Sequence, residues 1–360
     1  MYQLIPHFVQ TQVERGQKNG AFEALTMFGD ISGFTAMTEM LMRGGDEGAE
    51  ILSHILNQLF NPIVETIHAH GGFISTFAGD AFTVIFTFQA DYQSALRLSL
   101  VLACAQEIQE IFQSRGMQQT PYGDVTLSVK IGLGCGKVTW GIVGQPNHTY
   151  FFRGPAIDAC AHAEHQAQAD EIITPTRMLA PLPSEMLTQH FAAPFTADGH
   201  HYRHLIRAWP TIDTQHTPAP TPPKREMLLK FFPRAVVDFR QTGEFRHVAS
   251  LFISFKGLES LEELETFATI LLNNAQRFNG YFNKIDFGDK GGIALYLFGA
   301  PVTFEKNIKR ALDCMLSLRD ELRGAPNLEA LQWRAGLSYG TVYAGIIGGE
   351  HRCEYTAIGD

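Results

Sequence analysis

The chain has no CxxC pair, no signal-like start, no apolar run of membrane-spanning length and no excess of positive charge. Each absence removes a class of function. The five cysteines, Cys104, Cys135, Cys160, Cys314 and Cys353, are scattered and odd in number. Disulfide frameworks and zinc sites need paired or clustered cysteines, so a reducing compartment is expected and the protein is read as cytoplasmic. The longest apolar run, residues 98–105, falls far short of the ~20 residues that span a bilayer. The start, MYQLIPHFVQTQVERGQ, lacks the charged, apolar and small-residue order of a signal peptide. With 28 basic against 37 acidic residues the formal charge is −9, which argues against nucleic acid as a partner.

What is present is a soluble-type composition, 45% hydrophobic and 18% charged, in 360 residues. That length suits two cores better than one. The chain also repeats itself. VKIGLGCGKVTWGIVG at 129–144 matches WRAGLSYGTVYAGIIG at 333–348, pairing Gly132 with Gly336, Gly136 with Gly340, Gly141 with Gly345 and Gly144 with Gly348. IPHFV at 5–9 matches FPRAV at 232–236. One fold occurring twice is expected, at a period too long for a solenoid. The Pro-rich stretch PTIDTQHTPAPTPPK at 210–224 reads as a semi-rigid spacer. The expected division is a first domain over 1–205, a linker over 206–228 and a second domain over 229–360, with a helical segment entering from about residue 225.

Periodicity gives the same element order in both copies. In the first, a strand at 26–31 precedes a helix at 49–67 with its apolar residues on one face. A hairpin follows at 73–77 and 81–88, turning at Gly79-Asp80, then a helix at 92–115 and a strand at 125–135 that enters a further hairpin through Gly136-Lys137. The second copy repeats this with a strand at 248–255, helix 260–278, hairpin 281–298, helix 303–322 and strand 332–338. The order βαββαβ is the ferredoxin-like, palm-type arrangement, an α+β fold.

Two stretches of the first copy carry chemistry, MFGDISGFT at 27–35 and FAGD at 77–80. A lone aspartate beside glycine commonly caps a turn. Asp30 and Asp80, however, end two short apolar runs expected on neighbouring strands, and such a carboxylate pair can hold divalent metal against a triphosphate. Backbone amides of Ile31, Ser32, Gly33, Phe34 and Thr35 at a helix start would cradle phosphate oxygens, with Gly33 allowing close approach. Lys130 and Lys137, flanking the glycines of the later hairpin, are candidates for further phosphate contact. His148 and the pair His200-His201 have no partners at metal-ligand spacing. The GxG pattern at Gly132–Gly136 lacks the strand and helix of a dinucleotide fingerprint.

GDISGFTAMTE, FAGDAF and the twice-repeated GxxxGxxxxGxxG hairpin followed by Y-x-x-x-G resemble class III nucleotidyl cyclases, most nearly the soluble adenylyl cyclase branch with two cyclase homology domains in one chain. The resemblance implies an internal pseudo-heterodimer that converts ATP to cyclic AMP and pyrophosphate between the domains, using two Mg²⁺ or Mn²⁺ ions. It implies Asp30, Asp80 and the Ile31 carbonyl as metal ligands. It implies adenine selection by Lys284 and Thr356 from the second copy. Ser254 and about Gly288 replace the metal pair there, so only one competent site is expected. The positions used for bicarbonate in soluble adenylyl cyclases read Thr76 and Ala161, so no bicarbonate activation is expected. In the first copy the catalytic asparagine and arginine positions read Asp158 and His162. Their second-copy counterparts would follow Gly359, past the last residue, so further C-terminal regulatory domains in a longer parent are expected and this stretch could be nearly inactive alone. The competing expectation is a catalytically dead nucleotide-sensing module; a polymerase-like palm is disfavoured by the acidic charge.

Overall fold

The computed structural model describes residues 2–87, 94–212, 220–241 and 243–359. Helix α1 (His7–Glu14) leads into strand β1 (Asn19–Ser32), helices α2 (Phe34–Met42) and α3 (Gly45–Ala69), and the hairpin β2 (Gly72–Ala78) and β3 (Ala81–Thr87). Then come α4 (Ala95–Arg115), the small ribbon β4 (Met117–Thr120) and β5 (Gly123–Thr126), the long strand β6 (Ser128–Val143), β7 (Thr149–Arg153), α5 (Pro155–Glu164) and β8 (Ile172–Pro175). Helix α6 (Ser184–His190) and strands β9 (Phe195–Ala197) and β10 (His200–His204) complete the first half. The second half holds α7 (Arg225–Leu228), α8 (Arg234–Val237), β11 (Glu244–Lys256), α9 (Leu261–Phe278), β12 (Tyr281–Gly288), β13 (Gly291–Phe298), α10 (Asn307–Gly324), β14 (Gln332–Gly349) and β15 (Arg352–Ile358).

Each half is a mixed α+β unit. The first sheet runs β2-β3-β1-β6-β8-β10-β9 with β7 on β6, and the second runs β12-β13-β11-β14-β15. The expected helices form where their apolar spacing puts them. Leu52, Ile55, Leu56, Leu59, Ile63 and Ile67 of α3 are all buried, a stripe whose removal from water drives the helix onto its sheet. Ser94 caps α4 by accepting from Arg97 N, and Ser260 with Glu263 forms a capping box on α9. The expected start of α4 at residue 92 and part of the linker, 213–219, lie outside the described residues.

The hairpin expected at Gly136-Lys137 is not there. Strand β6 continues through both residues, pairing Ala24 with Gly136 and Glu23 with Lys137. Gly136 takes a φ of +139° inside the strand, a value that side-chain-bearing residues rarely adopt. The alternation of buried Val138, Trp140 and Ile142 beyond it keeps the strand period of two. The turn comes instead at Gly144, and β14 likewise runs on to Gly349. Helix α2 is a further element that the periodicity did not mark.

The halves pack on one another. Val138, Trp140 and Phe152 of the first share a core cluster with Val236, Tyr281 and Tyr355 of the second, and Leu4, Ile5 and Val9 close it. The repeated IPHFV and FPRAV motifs are helix starts, at α1 after Pro6 and at α8 after Pro233. The contact repeats with the halves exchanged: β12 lies against β7, and its counterpart β2 lies against β15. Both hairpins carry a register shift at matching places, between Ile74 and Thr76 and between Phe282 and Lys284. Thr76 and Lys284 are therefore counterparts, and they touch across the interface: Lys284 Nζ is 3.3 Å from Thr76 Oγ1.

Candidate nucleotide site

Between the halves lies a cleft of about 750 Å³. Its first-half wall includes Phe34, Thr35 and Asp80, and its second-half wall includes Lys284, Asp286 and Thr356. The first-half residues arrive there because β1 ends at Ser32, Gly33 turns the chain, and α2 begins. Gly33 adopts φ +90°, and a Cβ there would stand 2.7 Å from the Thr126 carbonyl oxygen. No other residue type fits both the backbone angle and the space.

Asp30 and Asp80 are brought together as expected. Asp30 pairs with Ala81 across β1 and β3, which sets it beside the turn holding Asp80. Burial and the nearby Asp30 carboxylate raise the Asp80 carboxyl to about 6. Two crowded carboxylates of hard oxygen chemistry are a donor set that a divalent cation fits, because the cation relieves their repulsion. Among the described residues no group of three or more acidic, histidine or cysteine side chains could hold a metal, so any ion there would take its remaining ligands from backbone, nucleotide or water. Ile31 is buried and pairs with Val129 in the sheet, and Ser32 ends the strand opposite Ser128.

Lys130 and Lys137 separate. The Lys130 ammonium stands 2.8 Å from Asp30 Oδ2 and 2.8 Å from Glu164 Oε1. Burial opposes its charge, but hydrogen bonds to those two carboxylates hold its pKa above the ordinary value. Lys130 thus reaches the aspartate pair, with its charge engaged by two acids. Lys137 lies seven residues further along the same unbroken strand, roughly 23 Å away at the usual rise. It is exposed and faces Glu23. The expectation that it joins the phosphate contacts fails because the turn that would have folded it back does not exist.

Lys284 and Thr356 both line the cleft, and Thr356 is buried opposite Gly345. The Lys284 ammonium is already committed: it meets Glu354 Oε1 at 2.5 Å, Thr76 Oγ1 at 3.3 Å and the Phe77 carbonyl oxygen. Glu354 Oε2 accepts from Arg352 Nη2 at 2.9 Å and lies 3.4 Å from the Phe77 amide. Burial works against ionising Glu354, but Lys284 and Arg352 hold its pKa below the ordinary value. Arg352, 2% exposed, also donates to Ile74 O at 3.2 Å, Leu4 O at 3.0 Å, Ser75 O at 3.3 Å and the Tyr150 hydroxyl at 3.0 Å. Neither Arg352 nor Glu354 was singled out from the sequence. The signal was there in R-C-E-Y-T, where the alternation of a strand puts Arg352, Glu354 and Thr356 on one face.

Residues 18–193 match the family model described as "Adenylate and Guanylate cyclase catalytic domain". Residues 18–193 thus carry a class III nucleotidyl cyclase domain. The chain is 27% identical to adenylate cyclase type 10 of Homo sapiens over 94% of its own length and 26% identical to the Rattus norvegicus protein. It covers 23% of each of those relatives. Among solved structures, a class III adenylyl cyclase-like ATP-binding protein from Pseudomonas aeruginosa aligns over 95% of this chain and 80% of its own, with a TM-score of 0.60 at 17% identity. That likeness covers both halves and agrees with a tandem of palm-type cyclase domains. Among the described residues no helix is long and apolar enough to cross a membrane.

Proposed function

We propose that this chain is the catalytic region of an adenylyl cyclase, converting ATP to 3′,5′-cyclic AMP and pyrophosphate in the cleft between its halves. The observation that carries the reading is the division of the cleft walls: Asp80, with Asp30 beside it, comes from one half, and Lys284 and Thr356 come from the other. Bound divalent cations would lower the pKa of the ribose 3′-hydroxyl and neutralise charge on the triphosphate. Asp30 and Asp80 are the residues to hold them, with the Ile31 carbonyl. The amides at the start of α2 orient phosphate oxygens. The Lys284 ammonium donates to a ring nitrogen of adenine, and the Thr356 hydroxyl accepts from its exocyclic amine. A cleft built to satisfy those groups leaves buried polar atoms unpaired when guanine enters, which is the source of selectivity.

A second reading, a nucleotide-binding module without turnover, is favoured by one observation. The cations of the site, Lys130 and Lys284, are spent on the protein's own carboxylates. An assay of ATP and GTP turnover in Mg²⁺ and in Mn²⁺ separates the two. Cyclic AMP formation with ATP preferred supports the enzyme; nucleotide binding without product supports the sensor; preference for GTP contradicts the roles of Lys284 and Thr356.

A further inference from the structure

A lysine ammonium has three donors and no acceptor. All three donors of Lys284 have partners within the protein: Glu354, Thr76 and the Phe77 carbonyl. Two of those partners belong to β2 of the first half, and Glu354 lies on β15 of the second. A base entering the cleft can be contacted by Lys284 only if one of these bonds is given up. The strongest is the charge-assisted pair with Glu354 at 2.5 Å, whose two side chains are 14% and 7% exposed. Glu354 does not depend on that bond for its own compensation, because Arg352 sits on its other oxygen. Glu354 can therefore release Lys284 without being left an uncompensated buried charge.

Taking the cleft as the purine-nucleotide site proposed above, we infer that Glu354 is a positioning residue for base recognition: it holds the Lys284 ammonium against Thr76 and Phe77 at the domain interface, so that purine binding competes with this ion pair. Glu354 is two residues from Thr356 on the same strand, so its side chain shares a face with the other base-contact residue. The competition is specific to a base that accepts a hydrogen bond where adenine does. Guanine presents a donor at that ring nitrogen and gains nothing from a freed ammonium.

The test is titration of fluorescent ATP and GTP analogues, in Mn²⁺, into the wild-type chain, Glu354→Gln, Lys284→Met and the double variant. Replacing the charged acceptor with a neutral amide weakens the pair by about the typical worth of one hydrogen bond, which gives Glu354→Gln roughly fivefold tighter ATP binding with GTP binding unchanged. Lys284→Met binds both nucleotides alike, and adding Glu354→Gln to it changes neither. A purely structural role for Glu354 would shift ATP and GTP equally, or would shift ATP in the Lys284→Met background too; either result overturns the inference. Thr76→Val removes the longest of the three contacts without stranding a charge, and covers the case in which Glu354→Gln does not fold. It is expected to tighten ATP binding less than Glu354→Gln does and to leave GTP unchanged; no gain for ATP, or an equal gain for both, contradicts the inference. Wild-type protein that binds neither nucleotide contradicts the reading of the cleft itself, whereas binding with additive variant effects contradicts the role of Glu354 alone.

Discussion

The two halves share a strand order and differ in what covers one face of the sheet. In the first, α5 lies on the glycines of β6. A Cβ on Gly132 would fall 2.1 Å from Glu164 N and 2.2 Å from Cys160 O, and one on Gly134 would fall 2.5 Å from Ala156 O. The Thr26 hydroxyl of β1 donates to that same Ala156 carbonyl at 2.7 Å. In the second half Gly336, the counterpart of Gly132, has nothing within 4 Å of an added Cβ, and Ser338 stands where the first half has Gly134. Around them Phe252, Ile293 and Tyr339 are 47%, 46% and 53% exposed and line the cleft. A glycine stripe is thus a seat for close backbone approach, filled by α5 in the first copy; the positions matching α5 in the second copy would follow Gly359 and lie outside the described residues. The residues around the cleft differ too: the first half brings Asp30 and Asp80, and the second brings Lys284, Thr356 and the Arg352–Glu354 pair.

This contrast can be broken at several points. The largest effect is expected from Asp30→Ala or Asp80→Ala, each lowering cyclic AMP production by at least about 10²-fold with an unchanged circular dichroism spectrum. Ser254→Ala, at the matching place in the second half, should leave the rate within about twofold, because by the same principle no charge is stabilised there. Next comes the interface. Arg352→Met leaves Glu354 with Lys284 alone and strands several carbonyls, so urea unfolding should report a free energy lower by about 3–5 kcal/mol, with an earlier midpoint.

The glycine faces give a paired test. Gly132→Ala forces β6 and α5 apart and should cost about 1–3 kcal/mol or more. Gly336→Ala meets open space and should change stability by less than about 0.5 kcal/mol. Equal costs at both positions would mean that the close approach of α5 to β6 does not set the cost.

The smallest effect concerns pH. Burial raises the Asp286 carboxyl from 3.8 to about 6, with Lys284 opposing. A folded-state pKa above the unfolded one contributes stability that is present below the unfolded value and lost as pH rises through the folded one. Melting temperatures of wild type relative to Asp286→Asn should therefore fall between pH 4 and pH 7. A difference that is flat or rises across that window contradicts a raised Asp286 carboxyl.

The repeat, the α+β class and the adjacency of Asp30 with Asp80 were legible because they depend on local period and on residues that the chain brings close by hairpins. The true length of β6 was not, because Gly136 reads as a turn residue and only the pairing of Glu23 with Lys137 shows that the strand absorbs its unusual angle. Lys137 fell out of the site for that reason alone. The engagement of Lys284 was also hidden. Glu354 is 70 residues away and Thr76 is 208 residues away, and no spacing rule joins positions on β2, β12 and β15. Glu164 is a similar case, since its pairing with Lys130 depends on how α5 sits over the β6 glycines.

The central claim is that two pseudo-symmetric halves make one metal-dependent nucleotide site. Isothermal titration of a non-hydrolysable ATP analogue in Mn²⁺ tests it most directly. The account predicts one nucleotide per chain, with the metal-dependent part of the binding abolished by Asp80→Asn. Two nucleotides per chain, or one whose metal dependence survives Asp80→Asn, would contradict it.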